Sequence, residues 1–316
     1  MAATRREVVR REWRLDVSDA SLGADRLEIA ASSTAPADLA ARALRSLTRR
    51  YYDLWVGEDA SYSFAEAMAR RGFATLAIDH LGVGESSRPE DGWRLDADRI
   101  AAANQRALDA VRERLAREGD ALASVPLIGV GHSMGSCLTV VQQADHAPYA
   151  ALVLFTFQTL GLPAFLEGGE LAVAGDPEAI RARIVELARA RFGAAYPQRV
   201  GGAEGAAFSV GSAPPAAVEA LQTAAGVQLP IPGLLSMLPG GYSPWAEKIR
   251  VPALIPIGDH DLPGTEEESA ASLPNAARVD TFVQDDCWHC HFVSNTRASL
   301  WTRVADWIDA TLQRSA

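Results

Sequence analysis

The run Gly131-His132-Ser133-Met134-Gly135 constrains this chain more than any other stretch. Apolar, strand-forming residues precede it at 125–130 and helix-compatible residues follow at 136–146. A strand that turns into a helix within so few residues brings the backbone against itself. Glycine is required at positions 131 and 135 because a Cβ there would strike the neighbouring chain. The turn is expected to lift the Ser133 hydroxyl above a sheet edge, with the N-terminal amides of the following helix facing the same point.

The remainder of the chain fits such a strand–helix unit. Its 316 residues, 48 % hydrophobic and 22 % charged, suffice for one α/β domain with a sizeable insertion. Polar–apolar alternation predicts an opening antiparallel pair of strands at 12–17 and 25–31. Further strands are predicted at 73–79, 125–130, 150–157, 251–258 and 278–283. Helical periodicity marks 64–71, closed by Gly72, then 100–115 and 136–146. Leu300, Val304, Trp307, Ile308 and Leu312 define one face of a C-terminal helix. Alternation of this kind predicts an α/β fold: a mostly parallel sheet flanked by helices on both faces.

Between residues 160 and 249 the alternation stops. Helices are predicted at 177–192 and 214–225. The stretch 227–242 carries no charge and contains prolines at 230, 232 and 239, which predicts an irregular segment rather than a helix. The expected organisation is a core made of 1–159 and 248–316, with an inserted helical cap at 160–247. An uncharged segment in such a cap is costly to expose. It is expected to cover an apolar substrate, with Leu235 and Met237 lining the pocket, or else to meet a second copy of the chain in a homodimer.

The net charge of −10 argues against nucleic acid as a partner. No apolar run is long enough to span a membrane, and the arginine-rich N-terminus is unlike a signal peptide. Three cysteines, an odd number, do not suggest a disulfide framework. A cytoplasmic location is the expectation.

A serine hydroxyl becomes a useful nucleophile only beside a general base, usually a histidine oriented by a carboxylate. Both types follow Ser133 in the chain. Acid candidates stand in Gly258-Asp259-His260-Asp261, directly after a predicted strand. Base candidates stand in Cys287-Trp288-His289-Cys290-His291, ahead of the last helix. If that stretch is extended, His289 and His291 project to the same side. A zinc site built from Cys287, His289, Cys290 and His291 lacks the usual ligand-pair spacing, so no metal or other cofactor is expected.

The order Ser…Asp…His behind this turn resembles the α/β-hydrolase superfamily. Asp79-His80-Leu81-Gly82-Val83-Gly84-Glu85-Ser86 is similar to that family's Asp-x-x-Gly-x-Gly-x-Ser turn, in its usual place before the serine. The resemblance implies Ser133 as nucleophile and Asp261 as acid, three residues after the strand-ending glycine, with Asp259 as the alternative. It implies His289 as base, with His291 as the alternative and otherwise a hydrogen-bond partner. One oxyanion donor would be the Met134 amide. The other normally comes from a His-Gly or Gly-Gly turn, which the segment 43–54 lacks, leaving the amides of Leu47 or Thr48. His132, packed beneath the turn, and His80 are further pocket candidates. The activity implied is cofactor-free hydrolysis of a carboxylic ester or lactone of a largely apolar substrate through an acyl-enzyme. Acyl transfer, C–C hydrolysis, perhydrolysis or a non-catalytic receptor are the alternatives on the same scaffold.

Overall fold

A computed structural model describes residues 7–19, 22, 26–37, 42–47, 49–198, 210–262 and 264–315. Its strands are β1 (Val8–Asp16), β2 (Glu28–Pro36), β3 (Arg42–Leu47), β4 (Phe73–Ile78), β5 (Leu127–His132), β6 (Ala151–Phe155), β7 (Ala253–Gly258) and β8 (Val279–Gln284). They form one sheet in the order β1-β2-β4-β3-β5-β6-β7-β8. The β1–β2 and β2–β4 pairings are antiparallel, and the pairings from β4 through β8 are parallel. Every residue of β4, β6 and β7 is buried, as expected for strands covered on both faces.

Two helix pairs cover the sheet. Helix α3 (Ala97–Arg117) packs on α4 (Met134–His146), and α2 (Phe64–Ala69) packs on the C-terminal helix α11 (Arg297–Ser315). Asp96 caps α3 by accepting the Arg99 amide at 2.8 Å. The helix buries Ile100, Leu108, Val111 and Leu115, each worth ~1.5–3 kcal/mol relative to exposure. Among the described residues no helix is long and apolar enough to cross a membrane.

Strand β3 is not predicted from the sequence. Its Arg-Ala-Leu-Arg-Ser-Leu run lacks a strand signature; parallel pairing with β4 on one side and β5 on the other makes it a strand. The short helix α1 (Arg49–Tyr52) follows it.

The segment between β6 and β7 carries α5 (Gly168–Leu171), α6 (Pro177–Phe192), α7 (Pro215–Ala224), α8 (Pro230–Met237) and α9 (Ser243–Ala246). Helix α10 (Glu266–Ala271) lies between β7 and β8. Helix α8 corrects the expectation of irregularity. Pro230 opens the helix and Pro232 falls within its first turn, where the backbone amides have no intrahelical acceptor, so the missing N–H groups cost nothing. Pro239 lies beyond the last turn. The apolarity of this stretch is used in packing: α8 lies against α4 and α6, and Leu234, Leu235 and Leu238 are buried in the main core.

Candidate active site

The site begins at the end of β5. Ser133 follows the strand with φ 54° and ψ −127°, outside the regions that L-residues favour. Such a conformation costs about 1–3 kcal/mol and persists because its surroundings impose it. Here the Ser133 amide donates to the Phe155 carbonyl at 3.0 Å, and the Ser136 amide returns to the Ser133 carbonyl at 2.8 Å. A Cβ on Gly131 would stand 2.5 Å from Ser136 Cα and 2.6 Å from the Gly135 carbonyl. Gly131→Ala is therefore expected to destabilise the fold by about 2–3 kcal/mol, seen as a lower urea midpoint. An unchanged midpoint would mean that the turn relaxes freely.

Opposite Ser133 stands the loop after β8. His289 Nε2 lies 2.9 Å from Ser133 Oγ, and His289 Nδ1 lies 2.8 Å from Asp261 Oδ1. The structure thus brings Ser133, His289 and Asp261 into one hydrogen-bonded series. The loop is held from below: His132 Nε2–H donates to the His289 carbonyl at 2.7 Å. Burial, with repulsion from His289 and His291, pushes His132 well below its ordinary value, so it serves as a neutral donor. Its contact is with the His289 loop, from within the turn.

Asp261 is almost wholly buried. Oδ1 also accepts the Leu262 amide at 2.6 Å, while Oδ2 accepts the Gly258 amide at 3.3 Å and the Thr156 hydroxyl. Burial opposes its charge, but hydrogen bonds from His289 and His291 outweigh that and hold the carboxyl well below the usual carboxylate range. Asp259 has a different position. Its two oxygens accept the amides of Cys287 and Asp286 at 2.8 and 3.0 Å, anchoring the base of the histidine loop. His291 is fully buried, with Nε2 2.9 Å from Thr156 Oγ1 and 3.3 Å from Asp261 Oδ2. It meets the far side of the carboxylate, away from Ser133.

The remaining sequence candidates separate. Met134 opens α4, so its amide is among the N-terminal amides with no intrahelical acceptor. Leu47 ends β3 beside Ile78, and Thr48 lies outside the described residues. His80 is buried, with Nδ1 3.1 Å from the Asn104 side-chain oxygen on α3. Leu235 is buried in the core and Met237 is half-buried against it, both as packing for α8. Burial pushes the Cys137 thiol up to about 12 and the Cys287 thiol further, which disfavours either as a competing nucleophile. Among the described residues no group of His, Cys, Asp and Glu is arranged to hold a metal ion.

Two further features support the site. Asp79 secures the chain leaving β3: its carboxylate accepts the Arg49 amide at 3.1 Å and the Glu85 amide at 3.0 Å, with the Arg49 guanidinium alongside. A Cβ on Gly84 would meet that carboxylate at 2.3 Å, which explains the glycine. The segment so held brings the Tyr51 ring to 5.0 Å from His132, stacked on Phe292 at 4.7 Å. The second feature is Thr156, just past β6, which nothing in its local sequence marks.

Residues 59–158 match the model of the Hydrolase_4 family, described as serine aminopeptidase, S33. That range contains Ser133 and Asp79 and ends before Asp261 and His289. No curated protein matches the chain. Solved structures similar to it include a bromoperoxidase from Bacillus anthracis, at 15 % identity and TM-score 0.57, covering 96 % of this chain and 100 % of that one. An esterase from Exiguobacterium antarcticum is similar at 15 % identity and TM-score 0.57, covering 90 % and 97 %. A mutant N-acyl homoserine lactonase complexed with N-hexanoyl homoserine lactone is similar at 14 % identity and TM-score 0.57, covering 96 % and 99 %. At these identities the likeness speaks for the fold.

Proposed function

We propose that this chain, which has the α/β-hydrolase fold and sets Ser133, His289 and Asp261 in series, is a serine hydrolase that cleaves a carboxylic ester or lactone. The observation that carries this reading is the 2.9 Å contact between His289 Nε2 and Ser133 Oγ, with Asp261 fixing the other ring nitrogen. Nδ1–H donates to the carboxylate, which leaves the Nε2 lone pair facing the hydroxyl.

In this mechanism Ser133 Oγ attacks the substrate carbonyl as His289 takes its proton. The resulting oxyanion lies against the Met134 amide, at the positive end of α4. Collapse of the tetrahedral intermediate expels the alcohol, protonated by His289, and leaves the acyl group on Ser133. Water, deprotonated by His289, then attacks the acyl-enzyme and releases the acid. Asp261 stays ionised throughout and stabilises the imidazolium that forms in each half-reaction. A lactone follows the same steps, with alcohol and acid released as one opened molecule. Residues 160–247 are the proposed cap over this cleft. The apolarity of α8 is accounted for by its packing, so the substrate class rests on the triad chemistry alone.

A fluorophosphonate probe is expected to label the parent protein at Ser133, because such reagents need an activated hydroxyl beside a base. Peptide mapping should place the adduct there, and Ser133→Ala should remain unlabelled. Labelling that survives Ser133→Ala would refute the nucleophile assignment. A panel of chromogenic esters and simple lactones, assayed with the same preparation, then defines the acyl and alcohol groups.

A further inference from the structure

The carboxylate of Asp261 carries a full negative charge at a site where its side chain is 2 % exposed. In the resting triad His289 must be neutral, since its Nε2 lone pair receives the Ser133 proton. A buried carboxylate facing only neutral donors is costly. Among the described residues the basic side chains in direct contact with the Asp261 oxygens are His289, at 2.8 Å, and His291, at 3.3 Å, and His132 is a neutral donor, which leaves His291 as the source of a compensating charge.

Counting protons around His291 leads to the same place. Its Nδ1 lies 2.8 Å from the Gln284 side-chain oxygen. The orientation of that amide is set on its other side: the Gln284 nitrogen donates to the His291 carbonyl at 3.4 Å and to Thr296 Oγ1 at 3.1 Å. The Thr296 hydroxyl proton is itself given to the Asp285 carbonyl at 2.6 Å. Nδ1 therefore faces an acceptor and must carry a proton. The Cys287 thiol, 3.6 Å from Nδ1, donates to the Trp288 carbonyl instead. At the other nitrogen, Thr156 Oγ1 lies between Asp261 Oδ2 and His291 Nε2. The ionised carboxylate has no proton to give, so the single Thr156 hydroxyl proton goes to Oδ2, and Oγ1 accepts from Nε2. Both ring nitrogens of His291 are donors.

Thr156 supplies an independent observation. It holds φ 52°, a left-handed conformation that is unfavourable for a β-branched residue. Its amide is tied to the Pro256 carbonyl at 2.9 Å, which holds the strained residue over the turn that carries Asp261. Strain retained where a glycine would be relaxed points to a use for the side chain, and the use available is the hydroxyl between Asp261 and His291.

We propose that Thr156 and His291 are positioning residues for Asp261, with His291 held as a doubly protonated ring that ties Oδ2 and so keeps Oδ1 aimed at His289. The kinetic consequence rests on the serine-hydrolase reading; the protonation state does not. Histidine-15N-labelled parent protein, examined by two-bond 1H–15N correlation at the pH of maximal turnover, is expected to show both His291 nitrogens protonated. The resonances are identified by their loss in His291→Gln. One unprotonated His291 nitrogen overturns the proposal whatever the variants do. Thr156→Val is expected to lower kcat by roughly 10- to 100-fold through misplacement of the triad. KM should stay within about threefold and the downfield His289 Nδ1 proton signal should shift, while Thr156→Ser restores both. A Thr156→Val enzyme with parental kcat and an unmoved His289 signal overturns the positioning role. A parent protein that hydrolyses no ester yet shows a doubly protonated His291 supports this assignment and refutes the hydrolase reading.

Discussion

Ser133→Ala is expected to lower kcat for a responsive ester by about five to six orders of magnitude, as loss of a triad nucleophile does elsewhere. The size follows from the chemistry: without Oγ there is no acyl-enzyme, and what remains is water attacking a bound ester beside the Met134 amide. The variant should fold as the parent does, because the turn is held by backbone contacts from Ser133 to Phe155 and Ser136 that alanine keeps. Active-site titration should accompany the assay, since traces of another esterase would mask a loss this large. A variant that keeps even a tenth of the parental kcat, with an unchanged melting temperature, would place the chemistry on another residue.

His289→Ala is expected to cost nearly as much, again about five orders of magnitude, because members of a triad act as a unit. The substitution removes the group that takes the serine proton and later gives it to the leaving alcohol. His291 cannot take over: it is fully buried and meets Asp261 from the side away from Ser133. Added imidazole, entering the space left by the ring, should restore part of the lost rate in His289→Ala and none in Ser133→Ala. A His289→Ala enzyme that stays within tenfold of the parent would mean that Ser133 is activated in another way. Both losses are far larger than the one expected for Thr156→Val, whose side chain touches the acid rather than the reacting atoms.

His289 and His291 are told apart by the fold and not by the sequence. In an extended stretch the two side chains point alike, and spacing to the last helix does not distinguish them. In the folded protein the chain enters a 3-10 turn at His291–Val293, which breaks the extended geometry and sends the second ring into the core. Asp259 and Asp261 part for a similar reason. Two residues apart in a tight turn, one accepts the amides that anchor the histidine loop and the other reaches the ring itself. Thr156, just after β6, carries no local mark of its partners, which lie 105 and 135 residues further along the chain.

What the sequence by itself determined was local. The glycines around Ser133 dictate the turn, since a Cβ at 131 has no room whatever the rest of the chain does. The spacing of apolar residues dictates the alternating strands and helices, since each must bury one face or both. Tertiary structure decided everything that depends on who lies opposite. Pairing on both sides made a strand of 42–47, and packing against α4 and α6 gave the apolar 230–237 helix its place in the core. Above all it decided the partners of Asp261: one histidine on each carboxylate oxygen, brought there from a loop 28 and 30 residues further along. Local conformation is set by a residue and its near neighbours, whereas a buried charge is satisfied only by what the whole fold places around it.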